Sequence, residues 1–205
     1  MGHWLEESEQ IAERQRQKPE RFALKVERKK QMIADNYQKH SADYDRFTST
    51  LKNLVNRVIA LPEPMRPTFS KLTIQAKKTK LNNRLQILTG SRRERKRVFS
   101  LWRFLQFGHT KHIRVMYLYV SKQLGYVDFE LKENRLERKR LDHKGENIKS
   151  GKEANKHRLH VVVRFPMEKL NNETALQIID WLVFRNELDE LNFWSTIPDE
   201  EKLYF

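Results

Sequence analysis

Residues 68–90 read TFSKLTIQAKKTKLNNRLQILTG, and the period assigned to them decides what kind of centre the protein has. Phe69, Leu72 and Ala76, then Leu81, Leu85 and Leu88, recur at steps of three and four, the spacing of one face of an α-helix. Gly90 follows as a helix-ending residue. The opposite side then collects Lys71, Lys77, Lys78, Lys80 and Arg84. The pattern predicts a basic helix over Thr68–Thr89, entered from the Pro-rich loop of residues 61–67.

Beyond Gly90 lies Ser91-Arg92-Arg93-Glu94-Arg95-Lys96-Arg97. Ser91 and Glu94 stand at the spacing of a capping box, which predicts the start of a second helix. Cations in the first turn oppose the helix dipole unless an anion lies nearby. A phosphate backbone relieves that conflict, because helix N–H groups and guanidinium forks both favour oxyanions. Lys77, Lys78, Lys80, Arg84, Arg92, Arg93, Arg95, Lys96 and Arg97 are therefore the candidate nucleic-acid contacts, with Arg103 and Lys111 at the margin.

The charge balance points the same way. The 205 residues hold 41 Lys and Arg against 27 Asp and Glu, a formal charge of +14. Residues 61–112 have 13 basic and 2 acidic side chains (+11), whereas residues 171–205 have 2 and 8 (−6). A basic centre facing a polyanion is one expectation; neutralisation by the acidic tail is the other. After the Arg-rich run, Val98 to Phe107 is apolar almost throughout. Trp102, Phe104 and Phe107 are either buried or available to stack on bases of a single strand.

Upstream, Ala23, Val26, Lys30, Ile33, Tyr37, His40, Tyr44, Phe47, Leu51, Leu54, Val58 and Leu61 alternate steps of three and four, a heptad seam. Pro19 is expected to separate this helix from a short one over residues 4–18, and Pro62 and Pro64 to stop it. Such a helix is too long for a small body to cover. It predicts either a homodimer or protein partner held as a coiled coil through residues 23–61, or a hairpin with the short helix.

Downstream, Ile113, Val115, Tyr117 and Tyr119 alternate with Met116, Leu118 and Val120, predicting a strand buried on both sides. Tyr126 to Leu131, alternating through Val127, Phe129 and Leu131, follows Gly125 as a second strand, and His157 to Phe165 forms a third, ended by Pro166. Residues 142–155 read as a loop. Asn171-Asn172-Glu173 opens a helix over Thr174–Leu191 that is apolar on several sides.

The expected fold class is α+β: a long coiled-coil-like N-terminal helix (residues 1–62), then residues 63–205 with a basic helical centre, a small antiparallel sheet of about three strands and a C-terminal helix. Residues 192–205 form an acidic aromatic tail.

For chemistry the chain has little to offer. With no Cys there is no disulfide, thiolate zinc site or cysteine nucleophile. No phosphate-binding glycine loop, nucleophile elbow or dinucleotide fingerprint occurs. His109 and His112 with His143 and Asp128 form the one conceivable ligand set, and His157 and His160 point to opposite faces of a strand. No metal and no cofactor is expected. No apolar run approaches the roughly 20 residues of a membrane span, and Met1–Glu7 lacks a signal-peptide layout. A cytoplasmic location is expected.

The sequence thus predicts a non-catalytic protein that binds RNA or DNA, or joins ribonucleoprotein, through phosphate contacts and assembles through its N-terminal helix. A structural adaptor using the coiled coil and C-terminal helix is the alternative, and a metal-dependent hydrolase or nuclease the third.

Overall fold

The computed structural model describes residues 3–66, 69–81, 83–100, 103–138, 154–199 and 202–204; for residues 3–6, 16, 17, 95–100, 103–109, 136–138 and 154–158 it describes the backbone alone. The chain is α+β, but its centre is sheet and not helix. Among the described residues six strands, β1 (Lys71–Lys78), β2 (Arg84–Ser100), β3 (Arg103–Val120), β4 (Tyr126–Arg138), β5 (Ala154–Pro166) and β6 (Lys202–Tyr204), form one antiparallel meander in chain order.

The expected three-stranded sheet is therefore too small, and the expected basic helical centre is wrong. Residues 71–78 and 84–90 satisfy a second period as well as the helical one. Leu72, Ile74 and Ala76 share one face with Leu88 and Gly90, while Leu85, Ile87 and Thr89 share the opposite one, the period of two that paired strands require. The hairpin between them is closed by Asn83, whose carbonyl accepts from Thr79 N (3.0 Å) and whose N–H donates to Thr79 Oγ1 (3.1 Å). Its side-chain amide donates to Val120 O (2.8 Å), tying the turn to the end of β3. The Ser91–Glu94 capping box does not form either. Ser91 pairs with Ile113 and Glu94 with Thr110 in the β2–β3 ladder, and without a helix start the dipole conflict disappears.

One face of the sheet is covered. Leu88, Met116, Leu118, Val127, Phe129, Leu131, Val161, Val163 and Phe165 point to it and are buried. Each such side chain contributes about 1.5–3 kcal/mol. The cover is α1 (His3–Ala60), α2 (Asn172–Leu182) and α3 (Asn192–Ser195). From Ile33 onward α1 buries Ile33, Tyr44, Phe47, Leu51 and Val55, so the second half of the heptad seam is spent inside the chain. Phe47, Phe129, Phe165 and Phe193 meet in one aromatic cluster with ring centroids 5.7–6.4 Å apart.

Before Ile33 the helix projects. Residues 3–32 extend about 45 Å at 1.5 Å per residue, with Ile11, Phe22 and Leu24 exposed. Pro19 does not end the helix as expected; the carbonyl its missing N–H leaves without a helical donor is that of Gln15, an exposed residue, so no acceptor is stranded in the core. The irregularity falls at His40 (φ −122°, ψ 21°). Just before it, Asn36 is fully buried. Its amide donates to Ser121 O (2.8 Å), Gln123 O (2.8 Å) and Tyr126 O (3.0 Å), and its Oδ1 accepts from Gly125 N (2.9 Å). The long helix is thereby fastened to the β3–β4 turn, in which Gly125 takes φ +80°.

The C-terminal helix is shorter than the expected Thr174–Leu191. Asn171 caps its start, accepting from Thr174 N (2.8 Å). Phe184, at φ 62°, turns the chain away two residues after Leu182. The departing end meets the sheet at Gly90 and Arg114, partners across β2 and β3. A Cβ on Gly90 would lie 1.9 Å from Leu182 O, so Gly90 serves close approach and not helix termination.

Gly90→Ala is accordingly expected to destabilise the fold by about 2–3 kcal/mol, read as a lower urea midpoint. An unchanged midpoint would show that α2 does not rest on this glycine.

Candidate nucleic-acid interface

The eleven sequence-predicted cations fall on the first three strands, in two groups. Lys77 and Lys78 end β1, Lys80 lies in the turn and Arg84 begins β2. Arg84 is turned toward α1, with its guanidinium 4.2 Å from the centroid of the Tyr37 ring and 3.6 Å from Asp45 Oδ1. The second group lies toward the β2–β3 hairpin end. Arg93 faces Lys111 across the ladder, and Arg95, Lys96 and Arg97 pair with His109, Gly108 and Phe107, while Arg103 pairs with Ser100. Arg84 and Arg97 are thirteen positions apart on one strand, about 44 Å at 3.4 Å per residue. The cations form a strip and not a cluster.

Alternation divides even neighbours. Arg92 lies on the side of Gly90 and His112 and pairs with Glu94 (3.1 Å). Arg93 and Lys111 lie on the other face, together with Lys77, Leu85, Ile87, Val115, Tyr117 and Tyr119. Among the described residues, the groove on that face is reached by one helix residue, Ile33 of α1. Tyr117 and Tyr119 are half-buried there, so β3 is not enclosed on both sides as its apolar run predicted. A groove of about 470 Å³ opens over Tyr117, Tyr119 and Leu85, bordered by Lys80, Lys122, Lys132, Asp128 and Glu130.

The acids of this face are engaged. Asp128 accepts from Arg164 Nε at 3.2 Å, and Glu130 is 2.6 Å from Lys132 Nζ and 2.9 Å from His160 Nε2. Burial raises the Asp128 carboxyl above its ordinary pKa despite the opposing pull of Arg164. Burial, with Asp128 and Glu130 nearby, also pushes the Tyr119 phenol up to about 12. Tyr119 is neutral at physiological pH and adds no negative charge to the groove.

The conceivable metal set does not assemble. Asp128 pairs with Tyr119 and His112 stands seven residues back along β3, about 24 Å away. His112 is instead stacked edge-on to Phe184, with Nε2 3.5 Å from Glu94 Oε2. His143, Trp102 and residues 142–153 of the expected loop lie outside the described residues, as do the side chains of His109, His157, Phe104 and Phe107, while residues 154 and 155, expected in that loop, begin β5. No group of three potential ligands occurs among the described residues.

The acidic tail packs elsewhere. Phe193, Trp194 and Ile197 are buried, Asp199 pairs with Lys202 (2.8 Å), and β6 joins β5. That edge is five strand spacings from β1, about 24 Å. Sequence reasoning missed Tyr117, Tyr119, Lys132 and Arg164; the signal for them was the alternation itself, once only one face of the sheet has a cover.

No protein-family model matches the chain, and no curated protein or solved structure is similar enough to match it. No helix among the described residues is long and apolar enough to cross a membrane.

Because the folded-state pKa of Asp128 lies above the ordinary 3.8, its contribution to stability is fullest below pH 3.8 and is lost as pH rises through the folded-state value. Asp128→Asn stays neutral and is expected to gain stability relative to the parent across that rise. Urea midpoints of both proteins at acid and neutral pH measure it; a relative loss at neutral pH would mean that pairing with Arg164 outweighs burial.

Proposed function

We propose that the protein is a non-catalytic nucleic-acid-binding or ribonucleoprotein-associated protein, contacting phosphates of RNA or DNA through the basic strands β1–β3. The observation that carries this reading is the separation of charge. The +11 segment of residues 61–112 supplies one edge of the sheet and its open face, while the acidic tail is bound at the other edge. Lys77, Arg93 and Lys111 share the open face, where they line a track for a polyanion, and the hairpin carrying Arg95, Lys96, Arg97 and Arg103 extends it. A cytoplasmic setting accords with the lack of cysteine.

Counterion release makes such binding steeply salt-dependent. Replacing Lys77, Arg93 and Lys111 together by Gln is expected to lower the slope of log affinity against log salt by about 2 for a single strand, whereas Arg92→Gln, on the other face and paired with Glu94, changes it less. Anisotropy titrations with generic RNA and DNA measure this. No binding at about 50 mM salt, where a cationic surface holds a polyanion most tightly, would overturn the proposal.

A second reading, a structural adaptor or an assembly through the N-terminal helix, is favoured by Phe22 and Leu24, each 70% exposed on the projecting half of α1. Since Ile33 to Val55 already cover the sheet, this association uses the projecting part of α1, residues 23–32 of the expected segment with Phe22 just before them. Phe22→Ser with Leu24→Ser is expected to lower the mass measured by light scattering while leaving the melting temperature nearly unchanged. A parent that scatters as a monomer at every concentration would remove self-association.

A further inference from the structure

We propose that Tyr117 and Tyr119 form a stacking platform for the bases of a single-stranded nucleic acid, a proposal that rests on the nucleic-acid reading above and specifies its ligand. The two side chains are i and i+2 on β3 and stand on the same face, about 6.8 Å apart along the strand. β3 is an interior strand of the six, so the rings sit within the open face and not at its margin. Opposite them on β2 are Ile87 and Leu85, which give the rings an apolar bed. Among the described residues neither ring is stacked on another aromatic ring; Lys132 Nζ approaches Tyr117 at 5.2 Å from its centroid.

Charge selects the occupant. The groove over the two rings is bordered by Lys80, Lys122 and Lys132, and its two carboxylates, Asp128 and Glu130, are held by Arg164 and by Lys132 and His160. Six residues back along β3 on the same face, about 20 Å away, Lys111 lies opposite Arg93. A chain laid along β3 meets the two rings with cations on either side of them, which matches a ligand with planar apolar groups on a polyanionic backbone. A duplex presents phosphates but keeps its base faces stacked internally, so the rings recognise unpaired bases.

The test compares a short oligouridylate with a blunt RNA duplex of equal length, by anisotropy, on the full chain. Tyr117→Leu with Tyr119→Leu is expected to weaken single-strand binding about tenfold per ring, leaving the duplex affinity and the salt slope as in the parent. Tyr117→Phe with Tyr119→Phe keeps the rings and is expected to restore the affinity. Independently of any variant, iodouridine-substituted RNA irradiated with the parent protein is expected to cross-link to the peptide holding Tyr117 and Tyr119. Equal single-strand affinity of the Leu variant, or cross-links confined to other peptides, overturns the platform while phosphate binding stands. A parent that binds neither probe at low salt overturns both.

Discussion

Arg114 carries its charge in the interior, and the sheet, α2 and the chain after α2 are positioned through it. The residue is 1% exposed. Its Nε donates to Glu133 Oε2 (2.9 Å), its Nη1 to Trp181 O (2.8 Å) and Asn186 O (2.9 Å), and its Nη2 to Glu187. The guanidinium carbon also stands 4.7 Å from the centroid of the Phe184 ring. Removing a cation from water costs several kcal/mol, and the cost is recovered only when nearly every donor finds a well-placed acceptor. Here the acceptors include a carbonyl in the last turn of α2, where the helix dipole is negative. Gly90, beside Arg114 in the ladder, leaves room for the next carbonyl, that of Leu182. The absence of a side chain at one position and the presence of a cation at its neighbour thus define a single seat for the helix end.

That seat explains why the sheet has two unlike faces. α2 is held by its C-terminus over β2 and β3, and α1 is held by Asn36 over the β3–β4 turn and by Tyr44, whose hydroxyl donates to Arg84 O (2.9 Å). Both fastenings lie on the covered face. Among the described residues the other face has no comparable buried polar anchor. Its polar pairs, Arg164 with Asp128 and His160 with Glu130 between β5 and β4, and Lys132 with Glu130 within β4, stay inside the sheet and bind no covering element. Partly exposed pairs of that kind add little stability, but they offset the carboxylates of this face.

The C-terminal half was the more legible part of the sequence. Val127, Phe129 and Leu131 alternate with Asp128 and Glu130, Val161 and Val163 stand in an apolar run with β-branched Val162, and all five are core residues of strands; Asn171 is the helix cap that its position before Thr174 implies. The centre was illegible by periodicity alone, because Leu72, Ala76, Leu85 and Leu88 satisfy steps of three and four while Ile74 and Ile87 complete a period of two. Length adds to the ambiguity, since β2 and β3 run 17 and 18 residues, about three times an ordinary strand, and such long charged segments resemble solvated helix. α2 ends at a non-glycine residue with positive φ, Phe184, which carries no local stop signal; its stop is supplied from a distance by Arg114.

The same geometry revises what the basic run can do. On a helix start, Arg92 and Arg93 would both have joined one anion site at the N-terminal dipole. On β2 they part to opposite faces, Arg92 to Glu94 and Arg93 toward Lys111, so adjacent cations do not add to a common field. A strand distributes its cations along a line, at about 6.8 Å for each same-face position, and a ligand that uses them must itself be extended. Compact anions, which concentrate their charge at one point, meet one or two of these cations at a time. An extended polyanion lying along the strands would meet them in succession, and the half-buried rings of Tyr117 and Tyr119 stand on that same line, with Lys80 and Lys122 toward the strand end and Lys132 and the Arg93–Lys111 pair on the other side.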